Sequence, residues 1–228
     1  VTSPTAEGVL YEADMRLRPS GNAGPLATSL GSFHAYHREH AWTWEHLALS
    51  RARVVMADDS FGDEVKLVVA EIMRQGRDPI KTVDDVVAMR DLMARERSPR
   101  HAFDLKLAQG GLVDLEFIAQ SGQLVAGARI ARPQAPTAQV LARMGEVGLL
   151  PEGERLAEAH RLYSTILQAV SSALIHPFRD EDWTGAFREL LAQLTHYPDW
   201  ERLELDVAQT REFVAGAAAA WYDRARTL

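Results

Sequence analysis

The feature that most limits the fold is the apolar stripe at 153–176. Leu156, Ala159, Tyr163, Ile166, Leu167, Val170 and Leu174 recur at short helical steps, and Pro177 closes the run. Such spacing lays one apolar face along a long helix, and a single helix cannot bury its own face. Further helices must therefore lie beside it, and several segments have the right period. Val65, Val68, Val69 and Ile72 mark a helix over 61–73. Thr82, with Asp85 three positions on, reads as the cap of a helix reaching Glu96,. Its stripe is Val83, Val86, Val87, Arg90 and Met93. Leu112, Leu115, Ile118 and Leu124 mark a helix over 112–125, and others are expected at 137–147, 182–194 and 205–225,. Four or more long helices with short connections imply a bundle.

The first twenty residues follow another period. Glu12, Asp14, Arg16 and Arg18 alternate with Ala13, Met15 and Leu17, which predicts a strand over 8–18 with one ionic and one apolar face,. Pro19 ends it, and 20–25 reads as a glycine-rich turn,. One strand is not a sheet. Either a small hairpin packs on the helices, or the sequence is cut from a longer protein, and the second is favoured. Ser29 or Ser32 should cap a helix through 34–38, with Phe33, Tyr36 and His37 on one side,. Residues 41–57 predict a helix with Trp44, Leu47, Ala48 and Arg51 on one face and Trp44 in the core. The segment 54–56 suits either more helix or a short strand.

Composition removes several classes of function. Lys and Arg number 25 against 32 Asp and Glu, a net charge of −7 that disfavours bulk nucleic-acid binding,. No helix-turn-helix with a basic recognition face stands out. The absence of cysteine excludes disulfides and thiol catalysis and fits a reducing, cytoplasmic setting,. No apolar run reaches membrane-spanning length.

Two constellations carry chemistry. Asp14, beside Arg16 and Arg18 and before a glycine turn, could help hold a metal-bound phosphate. The same pattern also suits an ordinary solvated face of ion pairs. One carboxylate is too few for a two-metal site, and no P-loop, HExxH or Cys/His pattern supplies companions,. Gly110 and Gly111 precede a helix and could offer backbone N–H groups to an anion, with Lys106 adding charge. Asp114 and Glu116 diverge at a two-residue step, and the plainer reading makes them acids at a helix N-terminus. His46 reads as a structural histidine.

Three stretches occur in one order: YEADMRLRPSGNAGPLATSL at 11–30, AWTWEHLALSRARVV at 41–55 and FDLKLAQGGLVDLEF at 103–117. Together they resemble the bacterial glutamine synthetase adenylyltransferase/deadenylylase family. The GG-x-x-D form with Asp114 resembles its carboxyl-terminal adenylyltransferase half, where the deadenylylase half more often carries Arg. The resemblance implies a polymerase-beta-like nucleotidyltransferase domain of which Asp14 matches the third metal-binding carboxylate. The Gly-Ser and Asp-x-Asp elements that open such a domain are absent here.

A mainly α fold is thus expected: a helical bundle at 61–228, preceded at 1–60 by a short β element left from the nucleotidyltransferase domain. The resemblance implies catalytic roles for Asp14, Arg16 and Arg18, and Mg2+ on Asp14. It also implies ATP as substrate. Ser20 and Gly21 are candidate cofactor contacts or equally a purely structural turn, and Lys106 is a candidate contact through its charge beside Gly110 and Gly111. AMP would pass to a tyrosine of glutamine synthetase, a nitrogen-signalling regulatory protein would be a further partner, and this piece alone would be inactive. The alternatives are a non-catalytic helical interaction module and the deadenylylase half.

Overall fold

The computed structural model describes residues 8, 14–96, 103–130, 132–173 and 183–228. Among these, the long helices in chain order are α1 (Leu30–Glu39), α2 (Thr43–Leu49), α3 (Asp59–Arg74), α4 (Pro79–Glu96) and α5 (Leu112–Ala126). They continue with α6 (Thr137–Glu146), α7 (Gly153–Ala173), α8 (Gly185–Leu194) and α9 (Trp200–Ala225).

The bundle is built round α5. Its sequence, LVDLEFIAQSGQLVA, is apolar on nearly every side, and a helix of that kind must be enclosed,. It packs on α2, α3, α4, α6, α7 and α9. Its few buried polar groups are mostly partnered. Ser121 Oγ donates to the Phe117 carbonyl and accepts from the Trp221 indole at 2.9 Å, and Gln123 accepts from the Arg132 backbone. Burying Trp221, Leu115, Ile118 and Tyr163 contributes about 2–3 kcal/mol each,. The most extensive helix pairing is α6 with α7, and Gly153 permits the approach, since a Cβ there would run into the Leu141 carbonyl.

Helix ends follow local chemistry. Ser29 caps α1 by accepting from the Ser32 backbone N–H at 3.2 Å. Thr184 and Asp199 cap α8 and α9 in the same way, so α9 begins before the expected 205,. Thr82 does not cap α4. The helix starts at Pro79, a residue suited to a first turn, and Thr82 lies buried inside it,.

The expected β element is overturned: the described residues contain no β-strand, and Gly8 makes only an isolated bridge. Asp14–Arg16 is irregular, Leu17 and Arg18 bend, and Pro19 and Ser20 turn. The cause is local competition for backbone donors. The Arg16 N–H binds the Asp14 carboxylate at 2.9 Å, and the Arg18 N–H binds the Arg16 carbonyl at 3.0 Å. An alternating pattern without a neighbouring strand gives way to such short-range bonds. Residues 9–13 lie outside the described set. The segment 54–56 forms neither helix nor strand, and Val55 and Met56 are exposed. Trp44, expected in the core, is 43% exposed because α2 stops at Leu49 and turns its other face inward.

Candidate functional site

The candidate site begins at the turn holding Asp14. Its carboxylate takes three bonds from the Arg16 side chain, from Nε at 2.9 and 3.0 Å and from Nη2 at 2.6 Å. Those bonds hold the Asp14 pKa down at about 2, so the group is a carboxylate at any ordinary pH,. Both side chains are well exposed. Arg18 does not join them. Its Nη1 donates to the Met15 carbonyl, and its Nε is buried with no hydrogen-bond partner among the described residues. The structure thus brings Asp14 and Arg16 together and turns Arg18 the other way.

Ser20 and Gly21 follow in left-handed conformations, with φ of 63° and 52°. Glycine adopts this region without cost, whereas Ser20 is held there. Gly24 lies so close to the Pro19 carbonyl that a Cβ would collide with it. On α1 beside this turn stands Tyr36. The Tyr36 hydroxyl donates to Glu45 on α2 at 2.9 Å, and Glu45 accepts from the Trp42 N–H at 2.8 Å.

Behind the turn lies a cavity of about 340 Å3, walled by residues 17–19, α1, α2, the 51–54 segment and α3. Its surface is mostly apolar, from Phe33, Ala48, Leu49, Val65 and Val69. His37 on α1 is 6% exposed and lines the cavity, with its Nδ1 buried and unpartnered among the described residues. Burial, His46 and Arg77 hold the His37 pKa down at about 4, so the ring is neutral at pH 7,. His46 is structural: its Nε2 lies 2.8 Å from the His37 carbonyl. Arg51 at the rim pairs with Glu116 at 3.0 Å.

The second constellation is internally closed. Asp114 is buried and receives Arg90 Nε at 2.5 Å and the Gly110 N–H at 2.6 Å. Arg90 Nη2 also donates to the Leu107 and Ala108 carbonyls at 3.1 Å. The N–H groups of Leu112 and Val113 go to the carbonyls of Leu105 and Lys106. No free row of donors therefore awaits an anion before α5. Gly110 and Gly111 are needed for close approach, since a Cβ would meet the Arg211 carbonyl in one case and the Leu105 carbonyl in the other. The Lys106 residue is exposed on this turn and does not line the cavity. Sequence reasoning placed Arg90 on the apolar stripe of α4 but missed its partner. A charge inside an apolar stripe was the available signal. His37 was read only as a residue on the packing face.

Among the described residues no group of three His, Cys, Asp or Glu could hold a metal ion. Asp14 offers one carboxylate already engaged by Arg16, too few oxygen ligands for magnesium,. These residues alone do not fit the ion.

The family profile described as Glutamate-ammonia ligase adenylyltransferase matches residues 1–67, and the profile described as GlnD PII-uridylyltransferase matches residues 86–220. Three similar curated proteins are each called bifunctional glutamine synthetase adenylyltransferase/adenylyl-removing enzyme. The protein of Brucella suis biovar 1 is 41% identical over 218 residues, covering 95% of this chain and 22% of its own length. That of Xanthobacter autotrophicus is 44% identical over 216 residues, 92% of this chain and 22% of its own. That of Rhizobium meliloti is 41% identical over 229 residues, 96% of this chain and 23% of its own. The chain thus spans under a quarter of the length of these relatives. No described helix is long and apolar enough to cross a membrane.

Proposed function

The chain belongs to the bacterial glutamine synthetase adenylyltransferase/deadenylylase family, and from that premise we propose that it is part of an enzyme that moves AMP from ATP to a tyrosine of glutamine synthetase. The observation that carries this reading is the ordered run of three matching stretches, in which DMRLRPSG keeps Asp14. Identity of 41–44% with bifunctional relatives over more than nine-tenths of the chain supports it. Asp114 in the GG-x-x-D form favours the adenylyltransferase half over the deadenylylase half.

Asp14 is the candidate metal carboxylate, and Arg16 holds it ionised and oriented. Asp14 would supply one carboxylate towards a magnesium ion, which when bound would offset the charge of the ATP phosphates. Because Asp14 cannot hold the ion by itself, the other carboxylates would come from sequence corresponding to the rest of the relatives. Ser20 and Gly21 set the turn beside Asp14, Lys106 on the exposed turn before α5 is a further candidate cation, and a nitrogen-signalling protein is the proposed regulator. In the domain division we propose, 1–60 belongs with the catalytic domain and 61–228 is the helical domain.

The test is incubation of this chain with glutamine synthetase, Mg2+ and α-labelled ATP. No label should transfer, whereas a form extended to the length of its relatives should modify glutamine synthetase. Robust turnover by the chain alone would overturn the division of carboxylates. A second reading, a non-catalytic docking module, draws on the exposed Trp42, Val55, Met56 and Leu67 near the start,. Binding to glutamine synthetase without any AMP transfer by the extended form would favour it.

A further inference from the structure

We propose that Glu116 is a positioning residue for AMP transfer: from α5 it holds Arg51, and through Arg51 it holds the 51–54 wall that faces the Asp14 turn. The inference rests on the nucleotide-transfer reading above. Glu116 and Asp114 lie two positions apart on α5, a step that turns their side chains to different sides,. Asp114 goes to Arg90 on α4. Glu116 goes to the end of α2, where its Oε1 lies 3.0 Å from Arg51 Nη1.

The wall needs such a hold. Helix α2 stops at Leu49, and residues 52–58 form neither helix nor strand. The N–H groups of Arg51 and Ala52 reach back to the Ala48 and Leu49 carbonyls. Beyond them, residues 53–58 donate no backbone hydrogen bond among the described residues. Yet residues 51–54 line the same cavity as residues 17–19 of the Asp14 turn. Among the described residues, Arg51 with Glu116 is the one ion pair that ties 51–58 to the helices around it.

The surroundings favour a fixed geometry. The Glu116 side chain is 18% exposed, so water screens the contact less than it would a surface pair,. Arg51 also lies close enough to α7 to act, after burial, in keeping the His160 ring neutral, with its pKa down at about 4,. Glu116 does not line the cavity, so it acts through Arg51. The pair also joins separate stretches of the sequence: Arg51 belongs to AWTWEHLALSRARVV and Glu116 to FDLKLAQGGLVDLEF, while the facing wall at 17–19 belongs to YEADMRLRPSGNAGPLATSL. A wall ordered before the substrate arrives spares the cost of ordering it on binding.

The experiment has two arms. In the extended form, AMP transfer is followed for Glu116→Gln, Arg51→Gln and the double variant. Glu116→Gln should raise the KM for ATP about fivefold or more while kcat stays within about twofold, because neither residue belongs to the Asp14–Arg16 pair. The double variant should be no worse than Arg51→Gln alone, since both substitutions cut the same tie. Glu116→Asp, which keeps the charge, should recover part of the loss. Melting temperatures should move by no more than about 2 °C, because Arg51 is half-exposed,. The second arm needs no activity. In this chain, amide exchange at Ala52 should quicken about fivefold or more in Glu116→Gln, while exchange within α9 holds. The proposal is overturned if the KM is unchanged in Glu116→Gln, if the two substitutions add, or if Ala52 exchange stays the same. Failure of the unaltered extended form to transfer AMP retires the catalytic reading instead, and the exchange arm still decides the tie.

Discussion

Two aspartate–arginine pairs in this protein share their chemistry and almost nothing else. Asp14 and Arg16 sit two residues apart on an exposed turn. Asp114 and Arg90 are 24 positions apart and buried between α4, α5 and the turn before it. Water solvates the first pair whether or not it is joined, so its contact does little for folding and leaves Asp14 open to other partners. The second pair is largely withdrawn from water and is answered by the Gly110 N–H and two carbonyls. Removing one member of it strands a charge. Similar motifs in sequence therefore sit in separate settings: the exposed carboxylate stays accessible to solvent, and the buried one ties α4 to α5.

The sharpest way to break this contrast is Arg90→Ala. It should cost about 3–5 kcal/mol in urea unfolding, because Asp114 is left buried without its cation. A cost below about 1 kcal/mol would put the two pairs in the same class. Gly110→Ala should come next, at roughly 2–4 kcal/mol, because it strains a φ of 72° and drives a methyl into the Arg211 carbonyl,. Circular-dichroism melts would show it.

Acid offers a milder test. His37 and His160 have folded pKa values near 4, below the ordinary value of 6.5, chiefly from burial. The unfolded chain therefore takes up protons that the folded chain refuses. Stability is fully present above pH 6.5 and is lost as pH falls towards 4. Between pH 7 and pH 5 the two together should cost about 1–3 kcal/mol, below the full linkage value because His160 is only half-buried. His37→Phe should flatten that slope. The smallest effect belongs to Asp14→Asn, which should leave the melting temperature unchanged within about 1 °C, since its pair is solvated.

How much of this was written in the sequence depends on the distance over which each cause acts. Helices α3, α5 and α7 were legible because their apolar period is a property of each segment, and Ser29 was legible because capping acts over three residues. The strand at 8–18 was misread because alternation alone does not make a sheet. Asp14 found the Arg16 N–H two positions on, and no pairing strand among the described residues competes for it. Trp44 was misplaced because the end of α2 rotates the buried face. The glycines at 110–111 were visible, but the reason for Gly110, the passing backbone of α9 at Arg211, lies a hundred residues away, while Gly111 answers to the nearby Leu105 carbonyl. The resemblance pointed to Asp14 and Arg18, whereas the cavity that Arg18 and His37 share exists only once α1, α2 and α3 have packed.

The most direct measurement compares AMP transfer from labelled Mg-ATP to glutamine synthetase by the extended protein and by its Asp14→Asn variant, each shown to melt at the same temperature. A loss of at least about 100-fold in kcat is expected if the exposed carboxylate carries chemistry rather than stability. An Asp14→Asn protein that still modifies glutamine synthetase at close to the original rate would contradict the account.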